Sequence, residues 1–320
     1  MIKNKIALEE HFMHPDFIDY WKATSVNISP NLFGKALDAL QDFGERRLNE
    51  MDSNNIDIAI LSLSGPGVQI EKSTTKAIDM AKRCNDFLAE KIIHNPKRYA
   101  GFAHLAFQDP KSLILELERC IKDLNFKGVM INGSSNGTYL DDDRYEGFWE
   151  CLSDLGVPLY IHPNNPPEKP FMYHNHPELW GPVWSWTVET GNHALRIIFS
   201  GVFDRHPNAK LILGHMGETL PYQLWRFNSR WKISNKGEMF LKESPSFYFK
   251  NNFWCTTAGV CSDEPLICAL NAIGDDRVMF SVDYPFEFTA DACDWIDNSS
   301  IPSIIKQKVC RENAVNLFGL

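Results

Sequence analysis

Short apolar runs are spaced along the chain, and several of them end abruptly in ionisable residues. This constrains the fold more than any other feature. The first run, Lys5-Ile6-Ala7-Leu8, passes directly into Glu9-Glu10-His11-Phe12. Later runs end in Tyr160-Ile161-His162-Pro163, in Leu213-Gly214-His215-Met216-Gly217-Glu218 and in Ser281-Val282-Asp283-Tyr284-Pro285. Successive side chains of a strand point to opposite faces, so Glu9 and His11 share one face and Glu10 takes the other. Four strands that each deliver ionisable groups at the same end require an architecture in which strand ends converge.

The periodicity predicts eight strands, at 5–11, 57–63, 99–105, 126–132, 157–162, 209–215, 247–257 and 277–283. Helical patterns lie between and after them, at 75–94, 111–123, 144–155, 187–205, 217–233, 262–273 and 301–318. Alternation of this kind over 320 residues predicts an α/β protein, a single-domain (β/α)8 TIM barrel spanning 1–320. A doubly wound open sheet would show a Gly-rich turn after an early strand; here the first strand ends in Glu-Glu-His. The longest excursions are 13–43 and 163–186. The second is a long loop insertion rich in Pro, Asn, His and Trp, and reads as an active-site wall or lid.

In a β/α barrel the chemistry sits at the C-terminal ends of the strands. Glu9, His11, His162 and Asp283 then form a mixed carboxylate and imidazole set suited to one divalent ion, Zn²⁺ or Mn²⁺. His215 is either a fifth ligand or a catalytic group just outside. A lysine that would bridge two metals is absent from the end of strand 4, where Asn132 stands, with Lys127 at the start. Other histidines read as structural. His174 and His176 lie in the Pro-rich loop, and His193 sits inside a helical pattern where packing is the simpler role.

Net charge of −9 argues against a nucleic-acid surface. No apolar run is long enough to span a membrane. Eight scattered cysteines without a C-x-x-C pair read as reduced thiols, and no signal-peptide core precedes Glu9, so the expected compartment is the cytoplasm.

These residues carry a resemblance. Ala7-Leu8-Glu9-Glu10-His11-Phe12, Arg47-Leu48-x-x-Met51-Asp52, Leu61-Ser62-Leu63, Glu189-Thr190, His193-Ala194-Leu195-Arg196, Gly214-His215-Met216-Gly217-Glu218, Leu224-Trp225-Arg226, Thr256-Thr257-x-Gly259 and Asp283-Tyr284-Pro285-Phe286-Glu287 follow one another in order. Together they resemble the amidohydrolase superfamily, and more closely its non-oxidative hydroxybenzoate decarboxylase branch. The likeness runs over almost the whole chain. It implies Glu9, His11, His162 and Asp283 as metal ligands, His215 and Glu218 as a catalytic pair, and Arg226 as a substrate-binding residue in the same or a neighbouring subunit. It implies a metal-dependent carboxy-lyase that works as a homo-oligomer on a small aromatic carboxylate such as 2,6-dihydroxybenzoate. The mechanism expected for that reaction has Asp283 protonate the ring, with His215 and Glu218 as the relay. Asn228 departs from the branch's acidic residue, and 13–43 matches poorly; both bear on the substrate. The rival readings are a hydrolase of an amide or lactone using metal-activated water, and a non-catalytic binding barrel.

Overall fold

The computed structural model describes residues 2–24, 30–234 and 240–320. Part of the 13–43 excursion, residues 25–29, lies outside them. Eight parallel strands follow one another in sequence order: β1 (Lys5–Phe12), β2 (Ile56–Leu63), β3 (Tyr99–His104), β4 (Gly128–Asn132), β5 (Pro158–His162), β6 (Lys210–Leu213), β7 (Phe253–Thr256) and β8 (Val278–Met279). A parallel bridge from Leu8 to Ser281 joins the last strand to the first and closes the barrel. The architecture is the (β/α)8 barrel that the alternation predicts.

Helices between the strands start where the local chemistry favours it. The helix Pro110–Lys122 has proline at its first position, and the Asp109 carboxylate accepts from Ser112 N at 2.9 Å. Two cores result. Ile6, Leu8, Ile60, Phe102, Met130, Tyr160, Ile212 and Met279 fill the barrel interior, and Phe318 joins them from the C-terminal helix. The alternate positions, such as Ala7, Ala59, Val129, Leu159, Leu211 and Val278, pack outward against the helices.

This parity places the site. Interior positions at β5 and β8 continue as 160→162 and 279→281→283, which carries His162 and Asp283 into the mouth. β1 alone changes phase. Its interior residues Ile6 and Leu8 would be followed by Glu10 if the alternation were strict. Instead the register against β2 shifts between Ala7 and Glu10, and Glu9 adopts a left-handed φ of 53°. This bulge turns Glu9 and His11 inward and Glu10 outward. Glu9 and His11 do share a face as expected, but strand alternation from the start of β1 would have put them on the wrong one.

Several boundaries differ from expectation. The predicted strand 247–257 is a helix, Pro245–Asn252, followed by β7. Pro245 at the first helical position starts it, and Phe249 stacks on Phe253 at 4.8 Å, so its aromatics pack a helix rather than a pleat. The predicted helix 187–205 breaks at Gly201, whose φ is 75°. β6 ends at Leu213 and β8 at Met279, short of His215 and Asp283. Both of those residues have positive φ, which an extended strand does not accommodate.

Candidate active site

Glu9, His11, His162 and Asp283 offer ligand atoms that all lie within 4.8 Å of one another at the C-terminal mouth of the barrel. His11 Nε2 stands 3.3 Å from Asp283 Oδ1, and His162 Nε2 stands 3.5 Å from Glu9 Oε1. Glu9 and His11 are wholly buried. Glu9 Oε1 and His11 Nε2 nonetheless have no hydrogen-bond partner among the described residues. Buried polar atoms are almost always paired, so two orphans aimed at one point fit a cation between them. The opposite sides of both groups are held. Ser62 Oγ and His11 Nδ1 share a hydrogen bond of 3.1 Å, which leaves Nε2 as the free ring nitrogen. Tyr160 donates its hydroxyl to Glu9 Oε2 and meets Thr256 Oγ1 at 2.8 Å.

The loop after β6 brings in a second pair. His215 Nδ1 and Glu218 Oε1 are 2.7 Å apart. His215 Nε2 lies 3.8 Å from Asp283 Oδ2 and 3.9 Å from Glu9 Oε1, beside the four-residue group rather than within it. His215, Met216, Glu218 and Thr219 all have positive φ, as do Glu9 and Asp283. Such non-glycine conformations cost on the order of 1–3 kcal/mol each and persist where the surroundings over-determine them. Gly214 permits the close approach: a Cβ there would fall 2.5 Å from Glu9 Oε2.

The electrostatics are those of a desolvated, charge-dense cluster. Burial pushes the Glu9 carboxyl up to about 8, a rise that His215 opposes and Asp283 reinforces. A metal binding there displaces that proton. Burial alone would also raise Asp283, but the adjacent His11 and His215 outweigh it and hold the carboxyl well below the ordinary range. Burial lowers His162 strongly, which keeps its imidazole neutral and fit to ligate. For His215 burial works the same way, yet Glu218 and Glu9 overcome it and hold the ring charged.

A family model described as amidohydrolase matches residues 13–320. The chain belongs to the amidohydrolase family. Among its relatives in the family, the γ-resorcylate decarboxylase of Polaromonas sp. (strain JS666) is 41% identical over 335 residues, covering 100% of this chain and 99% of the relative. A crystal structure of 2,6-dihydroxybenzoate decarboxylase complexed with 2,6-dihydroxybenzoate superposes with a TM-score of 0.95 at 40% identity, covering 100% of both chains. The dihydroxybenzoic acid decarboxylase from Polaromonas sp. JS666, solved with manganese and the inhibitor 2-nitroresorcinol, gives 0.95 at 41%, covering 100% of this chain and 98% of that one.

Within this amidohydrolase barrel the expected residues divide. Glu9, His11, His162, Asp283, His215 and Glu218 come together. Arg226 does not: it is exposed on the helix Leu220–Ile233, beside Tyr222 and Trp225, which are 80% and 79% exposed. His193 is buried in packing, accepting from Leu140 N at 3.1 Å; His174 and His176 are exposed in the loop. The 13–43 excursion reaches the mouth through Trp21, whose ring lies 6.4 Å from Phe286, itself 5.7 Å from His11. Sequence reasoning missed Ser62, Tyr160 and Thr256. Tyr160 shares the parity of His162, and that parity was the available signal.

Proposed function

We propose that this protein is a non-oxidative decarboxylase that converts an ortho-hydroxybenzoate of the 2,6-dihydroxybenzoate type to a phenol and CO₂, with one Mn²⁺ held by Glu9, His11, His162 and Asp283. The observation that carries the reading is the buried ligand quartet with orphaned Glu9 Oε1 and His11 Nε2, in a chain whose full-length relatives are hydroxybenzoate decarboxylases. Two carboxylates and two imidazoles suit Mn²⁺ or Zn²⁺; the manganese bound by the Polaromonas relative favours the former. When bound, the cation supplies Lewis-acid polarisation and a template for the substrate carboxylate and ortho oxygen.

The protein's residues supply the proton. Loss of CO₂ directly would leave an aryl carbanion, so the ring carbon bearing the carboxylate is protonated first. Asp283 delivers that proton, and the electrons of the breaking C–C bond then restore aromaticity. Asp283 rests ionised between His11 and His215, so its proton arrives from His215, 3.8 Å away, which Glu218 keeps charged. His215, whose side chain is partly exposed, takes a proton back from solvent after each turnover, and Glu218, 2.7 Å from its Nδ1, holds the imidazolium in place. Trp21 and Phe286 give the mouth an aromatic wall.

The reading includes a homo-oligomer. Arg226 is exposed, so it serves a substrate carboxylate in a neighbouring subunit, and exposed Tyr222 and Trp225 beside it form part of the covered face. The segment 163–186 is the wall or lid. All eight cysteines are unpaired thiols, which supports a reducing, cytoplasmic setting.

The test is a screen of 2,6- and 2,3-dihydroxybenzoate, salicylate and 5-carboxyvanillate by ultraviolet absorbance, with Mn²⁺ and Zn²⁺ supplied separately. Turnover of a hydroxybenzoate that Asp283→Asn abolishes in metal-loaded protein supports the reading. No turnover across the set favours the hydrolase, and a metal-loaded Asp283→Asn that still decarboxylates removes Asp283 from its role.

A further inference from the structure

The Arg47-Leu48-x-x-Met51-Asp52 motif has no part in the chemistry above, yet Arg47 is only 2% exposed. It lies on the helix Glu45–Ser53, where Arg47 and Met51, one turn apart, form the buried stripe. Arg47 Nη2 donates to His11 O at 2.7 Å and to Ala39 O at 3.1 Å. The guanidinium carbon sits 4.6 Å from the centre of the Tyr284 ring. Two of the residues it touches, His11 and Tyr284, are a proposed ligand and the neighbour of another.

Around this contact the ends of β1 and the segment after β8 are tied together. His11 N donates to Tyr284 O at 2.8 Å, and Val282 N donates to Glu10 Oε1 at 2.9 Å. Glu10, turned outward by the bulge, lines a small cavity of about 10 Å³ with Arg47, Met51 and Tyr284. Arg47 Nε and Nη1 and the Tyr284 hydroxyl have no partner among the described residues. A buried cation is costly unless something opposes its charge. Glu10 is the carboxyl that shares its cavity, whose volume is about that of one water.

We infer that Arg47 is a positioning residue for the metal centre: its guanidinium clamps the outer side of β1 to the segment after β8, so that Glu9 and His11 face Asp283 at ligand separation. The clamp acts from the outer face of the strand, through the His11 carbonyl and the Tyr284 ring, and touches neither substrate nor metal. The same bulge that turns Glu9 inward presents Glu10 and the His11 carbonyl to it. The inference rests on the metal centre proposed above.

The experiment measures Mn²⁺ affinity by chelator competition in full-length wild type, Arg47→Met and Arg47→Lys. Leu117→Ala serves as a control, removing core packing on the helix Pro110–Lys122 outside the proposed clamp. Outer partners of metal ligands change affinity by about 10–100-fold, and Arg47→Met is expected to weaken Mn²⁺ binding in that range. Arg47→Lys keeps a charge and one donor but loses the planar stack on Tyr284, and falls between Arg47→Met and wild type. Leu117→Ala, destabilised but with the clamp intact, retains wild-type affinity. Arg47→Met binding Mn²⁺ as tightly as wild type overturns the clamp. If Arg47→Met does not fold, Arg47→Lys decides: wild-type affinity in it overturns the inference. Wild-type protein that takes up no Mn²⁺ refutes the metal centre itself, a different failure.

Discussion

Tyr160→Phe removes a single hydroxyl beneath the metal centre. Tyr160 is fully buried in the barrel interior, its ring 5.9 Å from that of Phe102, and its hydroxyl is the partner of Glu9 Oε2. Phenylalanine keeps the ring and its packing and removes only the hydroxyl. Tyr160 gives its one proton to Glu9, so Thr256 donates to the Tyr160 oxygen at 2.8 Å, and the variant removes that bond as well. Of the two losses, the one at Glu9 bears on metal binding. A hydrogen bond to a charged group contributes about 1.5–3 kcal/mol, and this one favours the ionised carboxylate that ligates metal. Without it, Glu9, already raised to about 8 by burial, holds its proton more tightly. The predicted effect is a weakening of Mn²⁺ binding by about 10–150-fold at pH 7. Chelator competition on purified Tyr160→Phe measures it, with circular dichroism to show the barrel intact. Binding within threefold of wild type would refute the claim that Tyr160 prepares Glu9 for the metal.

Glu9→Gln should strip the metal from the protein, whereas Glu10→Gln should retain it, as read by metal analysis after gel filtration; the reverse would mean that the bulge in β1 is misplaced. His193 accepts from Leu140 N and is pushed by burial down to about 3, against 6.5 unfolded. A lowered histidine contributes stability that is complete above its unfolded pKa and is lost as pH falls towards the folded one. The wild type should therefore lose stability, on the order of 2 kcal/mol, relative to His193→Gln between pH 7.5 and 4.5 in urea titrations, and a pH-independent difference between the two would refute the neutral, buried role. Arg226→Ala and Asp283→Asn, each inactive alone, should regain decarboxylase activity when refolded together, because a mixed oligomer pairs an intact centre with an intact arginine; no recovery would place Arg226 outside a shared site.

The strand-end rule made most of the site legible before any coordinates. His162 and Asp283 end apolar runs whose interior parity leads into the mouth, and an ionisable residue at that end has few structural uses; His215 follows the outward parity of Leu211 and Leu213 and reaches the site through the positive-φ loop after β6. β1 shows the limit of the rule. Alternation groups Glu9 with His11, but only the bulge says which group faces inward, because the choice depends on pairing with β2 and β8 rather than on β1 alone. Residues 247–252 of the predicted strand 247–257 failed for a related reason. Phe247, Tyr248 and Phe249 have strand-like composition, and tertiary packing against Phe203 and Phe253 decided for a helix. Ser62, Tyr160 and Arg47 were hidden because they act on other side chains or on backbone, and nothing in their local sequence separates that work from ordinary packing.

The central claim is that a proton replaces a carboxylate on the substrate ring at this centre. The most direct measurement is turnover of 2,6-dihydroxybenzoate by the Mn²⁺-loaded protein in D₂O, with CO₂ quantified and the phenol analysed by mass spectrometry and NMR. The expected result is one CO₂ per resorcinol, with one deuterium on the carbon that carried the carboxylate, and neither product from Asp283→Asn. Unchanged 2,6-dihydroxybenzoate, from protein shown to contain stoichiometric Mn²⁺, would contradict it.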